Sequence, residues 1–184
     1  MPRNARTPRD RWVDEALSAL AEGGPDAVRI EALARRLGVT KGGFYGYFDD
    51  RGALLDAALD RWERDSVDDV LAAIERTGGD LREQAVLAGQ LTFADDLLPV
   101  DLAVREWARR DDEVARRLRH VDERRMGLLR TALADDSRSE DELEAWCLIA
   151  FCVAIGNGLL RAEHPRHTRD EVMATVRRLV VGEG

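Results

Sequence analysis

The chain has few of the residues on which catalytic and metal sites depend. Its 184 residues include three histidines and two cysteines. Cys147 and Cys152 lie five positions apart in one apolar helical pattern, so they point to different faces and suit neither a disulfide nor a metal pair. We expect both in the core. With no Glu-x-x-His pair and no glycine-rich phosphate loop, the sequence predicts no catalytic residues, no metal and no cofactor.

Long apolar runs are also lacking. The most apolar segment, Trp146 to Leu160, is interrupted by Asn157 and two glycines, and the N-terminus has no apolar region typical of a signal peptide. We therefore expect no membrane span and a cytoplasmic location.

Lysine and tyrosine are rare and concentrated in one short stretch. Of 28 basic residues all but Lys41 are arginine, and both tyrosines, Tyr45 and Tyr47, lie close behind that lysine. Chance placement in an arginine-rich composition is the alternative, but the clustering favours a function. The net charge of −8 is uneven, because residues 1–55 carry a balance of +1 and leave −9 to the remainder. Phosphate contact needs local cations rather than a basic total, so this distribution permits a nucleic-acid partner.

The stretch from Ile30 to Phe48 predicts a helix-turn-helix. Ile30, Leu33, Ala34 and Leu37 recur at helical spacing, Gly38 supplies the left-handed end of a helix, and we expect Val39 to pack back into the core. Thr40 is then the expected N-cap of a second short helix, whose Phe44 and Phe48 face inward while Tyr45 and Tyr47 point elsewhere. Gly42, Gly43 and Gly46 are poor helix formers, which suggests that a DNA groove wall approaches the backbone there.

Helical periodicity continues through the chain, with no competing strand pattern. A first helix begins at Thr7 and Pro8, and a fourth, capped by Asp49 or Asp50, runs toward Ile74. Further helices are expected at about 81–94, 100–110, 113–134, 140–163 and 169–181. The prediction is an all-α fold of about nine helices: a three-helix head over residues 7–50, joined by the fourth helix to a helical body over residues 51–184.

The last two helices predict a dimer. The eighth is apolar around much of its circumference and needs a second surface to cover it, although a core helix of a single chain is the alternative. A single helix-turn-helix head binds DNA weakly, and a two-fold dimer would double its contacts with DNA. The expected interface residues are Ile149, Val153, Asn157, Leu160, Val172, Val176 and Leu179.

At these residues the chain resembles a known family. From about Arg9 to Trp62 it is similar to the N-terminal domain of TetR/AcrR-type transcriptional regulators, through Gly-Val-Thr-Lys-Gly-Gly-Phe-Tyr-Gly-Tyr-Phe followed by Arg51 and Leu54-Leu55. The resemblance implies an all-helical homodimer that binds double-stranded operator DNA and leaves it when a small molecule binds in the body. It implies phosphate contacts for Thr40, Lys41, Tyr47 and Arg51, and a base or sugar contact for Tyr45.

The sequence departs from the family pattern in three places. The usual hydroxyl at the start of the second helix is replaced by Val28 or Arg29, so that helix lacks a side-chain cap and Arg29 is expected to reach phosphate instead. Gly43 and Gly46 stand where larger polar residues are common. With few side chains left for direct readout, we expect operator specificity to depend on Tyr45, Lys41 and DNA shape.

The body has few motifs of its own, although the Arg105–Ala108 segment and the DDEVARRL that follows are similar to segments in the sixth and seventh helices of these regulators. Asp101 and Glu106, five positions apart, are expected in solvent. An effector pocket would be apolar with a few polar groups. Its candidates, each of which has plain core packing as the alternative, are Trp62, Phe93, Arg105, Trp107, Met126, Trp146 and Phe151.

The sequence therefore predicts a DNA-binding transcriptional regulator, most simply a repressor. A helical protein-interaction adaptor is the alternative, but it leaves exposed Lys41, Tyr45 and Tyr47 unexplained. An all-α enzyme is a further alternative, but no nucleophile–base pair or ligand cluster supports it.

Overall fold

A computed structural model describes residues 8–92, 97–134 and 139–181. Within these ranges the chain is helical and contains no strand. The helices are α1 (Pro8–Gly23), α2 (Ile30–Leu37), α3 (Lys41–Phe44), α4 (Arg51–Glu63), α5 (Asp69–Thr77), α6 (Leu81–Thr92), α7 (Leu98–Ala108), α8 (Asp112–Leu133), α9 (Glu140–Leu159) and α10 (Arg169–Val181).

Two short segments complete this description. A 3₁₀ turn, Pro25–Ala27, precedes α2, and a π-helical turn, Arg64–Asp68, joins α4 to α5 without a break. Since α4 and α5 form one continuous run, the described ranges contain nine separate helices. The all-α prediction of about nine helices is confirmed.

Local sequence explains where these helices begin and end. Gly38 has φ 69° and ψ 29°, the left-handed conformation that ends α2, and its N–H donates to the carbonyls of Ala34 and Arg35. Asp50 caps α4 by accepting a hydrogen bond from the Ala53 N–H at 2.8 Å. At α9, Ser139 and Glu142 form a reciprocal capping box.

The chain packs as two compact units. The first contains the residues up to Asp69 together with the segment from Asp95 to Val121, and the second contains Val70–Ala94 and the residues from Asp122 onward. In the first unit α1 packs against α2, α4 and α7. The core there includes Trp12, Leu20, Leu33, Leu54 and Trp62, each at most 3% exposed. The predicted division into a head over residues 7–50 and a body over residues 51–184 concerns function rather than packing, and it stays a prediction.

The second unit has a smaller core. Val70, Ile74 and Ala88 form a cluster that Leu87 and Leu91 cover. Of α9 only Cys147 is buried, and Leu148, Ile149, Leu159 and Leu160 are 45% to 63% exposed. By length and composition alone α9 would be able to cross a membrane, which is weak evidence because a core helix passes the same test.

Three expectations about burial are wrong. Val39 is 45% exposed, because the chain turns away from the core after Gly38. Cys152 is exposed, because it lies on the face of α9 opposite to buried Cys147. Asp101, which we expected in solvent, is fully buried on α7, and Arg105 one turn later donates to it from Nε at 2.8 Å.

Candidate functional site

An aromatic cluster holds α3 against the first unit. Phe44 is fully buried and meets Trp12 edge-on, with ring centroids 5.2 Å apart. It also stacks on Phe48 at 5.5 Å, and the Arg9 guanidinium lies over the Phe48 ring. The predicted inward orientation of Phe44 and Phe48 is confirmed. Since these two rings anchor one side of the short helix, its other side chains must face out.

The outward side of this segment carries the candidate DNA-binding residues. Tyr45 is 54% exposed and Tyr47 is 43% exposed, although both are large aromatic residues. Thr40 and Lys41 are exposed on the same stretch. Exposed tyrosines offer a ring and a hydroxyl, which suit contact with a thymine methyl or a phosphate. We call residues Thr40 to Tyr47 the α3 surface.

Lys41 has a partner that the sequence did not reveal. Its Nζ lies 2.5 Å from Oε1 of Glu31 on α2, and both side chains are exposed. This hydrogen bond raises the pKa of Lys41 and lowers the pKa of Glu31, so both groups are charged at neutral pH. Exposed ion pairs contribute little stability. A phosphate oxygen can therefore replace Glu31 as the partner of Lys41 at small cost.

The glycines of the α3 surface are not required by the fold. A Cβ atom added at Gly42 or Gly43 would meet only the Thr40 hydroxyl, at 3.8 and 4.0 Å, and one at Gly46 would meet the Gly43 carbonyl at 3.6 Å. These are ordinary van der Waals distances, and none of the three has the positive φ that favours glycine. Among the described residues, no neighbouring group therefore requires a glycine at these three positions.

The start of α2 lacks a side-chain cap, as predicted. Arg29 occupies the N-cap position with extended backbone, and its exposed side chain donates to the Asp26 carbonyl at 3.2 Å. Thr40 occupies the predicted N-cap position of α3, but its hydroxyl makes no capping hydrogen bond. That part of the prediction is wrong, because the short α3 turns without bringing a backbone N–H to the hydroxyl.

Arg51 is turned toward the protein. Its Nε donates to the carbonyl of Val28 at 2.8 Å, and its second guanidinium nitrogen donates to the carbonyl of Pro25. These bonds tie the first residue of α4 to the 3₁₀ turn before α2, where Arg29 provides no cap. No feature of the sequence indicated this partner, which lies 23 residues away.

The candidate effector residues are divided between the two units. Trp62 is core, Arg105 pairs with Asp101, and Trp107 donates from Nε1 to Asp111 at 3.2 Å, all in the first unit. Met126, Trp146 and Phe151 belong to the second unit, and Phe93 lies outside the described residues. Of the six described candidates, only Phe151 lines the cavity that the second unit contains among α6, α8, α9 and α10.

The expected interface residues divide into two groups. Ile149, Leu160 and Leu179 are 45%, 63% and 69% exposed. Val153, Asn157 and Val176 line the cavity of the second unit, and Val172 is half-buried. The exposed group fits a surface that a second chain covers. The interface itself stays a prediction.

Comparison with known proteins agrees with this geometry. Residues 13–58 match the model of the bacterial regulatory proteins of the tetR family. Over 102 residues the chain is 31% identical to the HTH-type transcriptional regulator BetI of Escherichia coli O45:K1 (strain S88 / ExPEC), a match that covers 54% of this chain and 51% of BetI. The chain thus spans about half the length of the curated relatives it matches.

Solved structures share the fold over nearly the whole chain. The regulator FadR from Bacillus subtilis, solved in complex with stearoyl-CoA, superimposes with a TM-score of 0.67 at 15% identity, over 94% of this chain and 97% of FadR. A TetR/AcrR-family regulator from Thermobifida fusca superimposes with a TM-score of 0.64 at 19% identity, over 94% and 96% of the two chains. At this identity the likeness concerns the fold alone. With this family match, its helix-turn-helix and the BetI relative, the head of the chain over residues 13–58 is that of the tetR family of bacterial regulatory proteins.

Proposed function

We propose that the chain is a repressor that binds a pseudo-palindromic operator as a homodimer and leaves it when a small molecule binds the body. The observation that carries the proposal is the α3 surface. It combines exposed Lys41, Tyr45 and Tyr47 with three glycines that the fold does not need. A protein interior offers no reason for that combination, whereas a DNA groove wall and its phosphates do.

The roles within the α3 surface follow from chemistry. Lys41 exchanges Glu31 for a phosphate, Thr40 and Tyr47 donate hydroxyl hydrogen bonds to the backbone, and Tyr45 lies against a base or sugar. Gly42 and Gly43 allow the groove wall close to the helix. Arg29 reaches phosphate from the start of α2, and Arg51 is a further candidate because the family resemblance assigns it that contact.

A dimer supplies two such surfaces. The exposed apolar residues of α9 and α10 are suited to an isologous contact, in which the same patch of two chains meets around a two-fold axis. Two heads spaced about 34 Å apart, or somewhat more, then reach successive major grooves of B-DNA. Transcriptional regulation of this kind takes place in the cytoplasm.

An effector acts by favouring a dimer whose heads have the wrong spacing. To reduce operator occupancy about tenfold, it needs to favour that state by only ~1.4 kcal/mol. FadR, solved with stearoyl-CoA, is a fold relative that carries a small molecule. The effector of this chain is a separate question.

The test is selection of bound fragments from the source genome by the purified chain, followed by affinity measurements at several salt concentrations. We expect a pseudo-palindromic site. Lys41→Gln should reduce the slope of log K against log salt by roughly 2, about one for each head of the dimer. Tyr47→Phe, which removes a hydroxyl, and Tyr45→Ala, which removes a ring, should weaken binding with little change of slope, because neither changes the charge.

Arg161→Gln is the matched control, since it removes an exposed cation from the second unit. It should leave affinity and slope unchanged. Enrichment of no fragment by folded protein would reject the proposal and favour the adaptor. Equal binding by wild type and by both tyrosine variants would reject the roles given to Tyr45 and Tyr47.

A further inference from the structure

The second unit contains a cavity of about 280 Å³ among α6, α8, α9 and α10. Most of its wall is apolar and includes Leu128, Leu129, Phe151, Met173 and Val176. Small-molecule pockets in proteins begin at about 300 Å³ and are apolar with a few well-placed polar groups. The cavity therefore has the size and lining for a small organic molecule.

One charged group in this wall is deeply buried. Arg125 on α8 is 4% exposed, whereas Arg177 on α10 is half-buried and Asp170 is exposed. Buried arginines are rare, because removing a guanidinium from water is costly unless anions compensate it. Asp122, one turn earlier on α8, lies 3.8 Å from an Nη of Arg125. A guanidinium carries five N–H donors, so it can serve a second anion beside Asp122.

A neighbouring amide also presents a donor. The side-chain oxygen of Asn157 accepts a hydrogen bond from Arg169 at 3.0 Å, and its backbone carbonyl accepts another from the same guanidinium at 2.5 Å. Since the oxygen is engaged by Arg169, the side-chain amide of Asn157, a residue that lines the cavity, is left with its N–H donors for a ligand. Arg125, Arg177 and Asn157 thus supply hydrogen-bond donors to the cavity wall, whose other polar side chains are Gln90 and the exposed Asp170.

We propose that this cavity binds a small amphiphile with an apolar chain or ring and a single anionic group, such as a carboxylate. The apolar part packs on the leucine and phenylalanine side chains, and Arg125 holds the carboxylate through its paired N–H donors. A neutral analogue lacks the charge that Arg125 pairs with, and a cationic analogue is repelled by it. The ligand class follows from the cavity alone, and only the role of this molecule as the effector rests on the proposed function.

The experiment titrates the purified chain, without DNA, with octanoate, octanol and octylammonium. The three probes share an apolar chain and differ in the charge of the head group. Calorimetry should show octanoate binding at least tenfold more tightly than octanol, and no binding of octylammonium. Equal affinity for octanoate and octanol, a preference for octylammonium, or no binding of any probe by the folded protein would each overturn the proposal.

Variants locate the site. Arg125→Met should abolish the preference for octanoate over octanol, and Arg177→Gln should weaken it less because that residue is only half-buried. Ala154→Phe, which fills the cavity without changing charge, should abolish binding of both probes. Arg161→Gln, outside the cavity wall, should bind octanoate as the wild type does. Should Arg125→Met fail to fold, Arg177→Gln and Ala154→Phe still decide the outcome, and unchanged octanoate binding by both would overturn the proposal.

The DNA measurement separates the two proposals. Operator binding together with no octanoate binding overturns the ligand inference and leaves the repressor proposal intact. Octanoate binding with an unchanged operator affinity supports the ligand class and rejects release by this ligand.

Discussion

At the scale of single residues, Arg51 shows how one side chain can be assigned two roles. The family resemblance implies a phosphate contact, whereas in the structure its guanidinium donates to the carbonyls of Val28 and Pro25. These carbonyls lie just before α2, whose N-cap residue Arg29 makes no capping bond. Arg51 therefore stabilises the start of the helix on which α3 packs, and its planar guanidinium holds two donors in fixed positions for the two carbonyls.

Arg51→Lys separates these roles. Lysine keeps the charge but lacks the two separate nitrogens that bond these carbonyls, so we expect the free energy of unfolding to fall by about 1 to 3 kcal/mol, nearly as much as in Arg51→Gln. Urea denaturation measures this, with exposed Arg35→Lys on α2 as the control. If Arg51→Lys were as stable as wild type while Arg51→Gln lost DNA affinity and salt slope, the phosphate contact would be the main role.

Gly43 gives a prediction in which stability and affinity change in opposite directions. A Cβ at this position meets nothing closer than 4.0 Å, and alanine is the better helix former. Gly43→Ala should raise the free energy of unfolding by up to about 1 kcal/mol. It should also weaken operator binding at least tenfold, because the methyl group occupies the space of the groove wall.

Gly127→Ala on α8 is the matched control, since a Cβ there also meets nothing within 4 Å. Thermal unfolding and operator titration of both variants should separate them: both gain stability and only Gly43→Ala loses affinity. Equal affinities would show that the glycines serve no groove contact.

At the scale of elements, the π-helical turn Arg64–Asp68 and the residues beside it bury polar groups at a cost in stability. Trp62 Nε1 and Ser66 Oγ are buried and have no hydrogen-bond partner among the described residues. Asp65 in the turn is partly buried, and that burial raises its pKa from 3.8 to about 6, with Asp69 and Asp14 adding to the shift and Arg61 and Arg64 opposing it. Such turns are often placed where a helix must serve function rather than stability.

The raised pKa of Asp65 predicts a pH dependence of stability. A carboxyl with a higher pKa in the folded state binds more protons there, so between about pH 4 and 6 stability falls as pH rises. Near pH 7.5 the ionised group therefore destabilises the fold. Asp65→Asn should then be more stable than wild type by roughly 1 kcal/mol, a figure reduced for partial solvent screening.

Thermal unfolding across this pH range measures the effect, and the advantage of Asp65→Asn should shrink as pH falls toward 4. Exposed Asp68→Asn in the same turn should show a smaller and flatter difference. An advantage that does not depend on pH would mean that Asp65 affects stability through packing rather than ionisation.

At the scale of the whole molecule, a single chain leaves much of its apolar surface uncovered. The large apolar residues that remain exposed on the last two helices and just after α9 are Leu148, Ile149, Leu159, Leu160 and Leu179. An exposed patch of this kind marks an interaction surface. A second copy is the occupant that also places two α3 surfaces on one DNA molecule.

Ile149→Glu combined with Leu179→Glu should therefore produce monomers. Burying two charges in an apolar contact should weaken self-association by well over tenfold, since each tenfold corresponds to about 1.4 kcal/mol. Sedimentation at micromolar concentration measures this, with Asp141→Asn, an exposed change in the first turn of α9, as the control. A wild-type chain that is monomeric in sedimentation, or that partitions into lipid vesicles through α9, would contradict the dimer.

The sequence alone determined the features that depend on neighbouring residues. Periodicity and end signals such as Gly38 and Asp50 defined the helices, and the order of residues through α3 identified the head and its resemblance to the tetR family. Local rules suffice here because helix geometry is set within a few residues of chain. The spacing of Phe44 and Phe48 likewise predicted which side of α3 faces inward.

Only the tertiary structure decided which distant groups meet. Lys41 pairs with Glu31 ten residues away, Arg51 with Val28, and Asp101 is buried rather than exposed. The cavity of the second unit draws its wall from four helices, and of the six predicted residues that the structure describes it includes only Phe151. Periodicity shows which face of a helix is apolar, but burial and pairing depend on what packs against that face, and that is set by the whole fold.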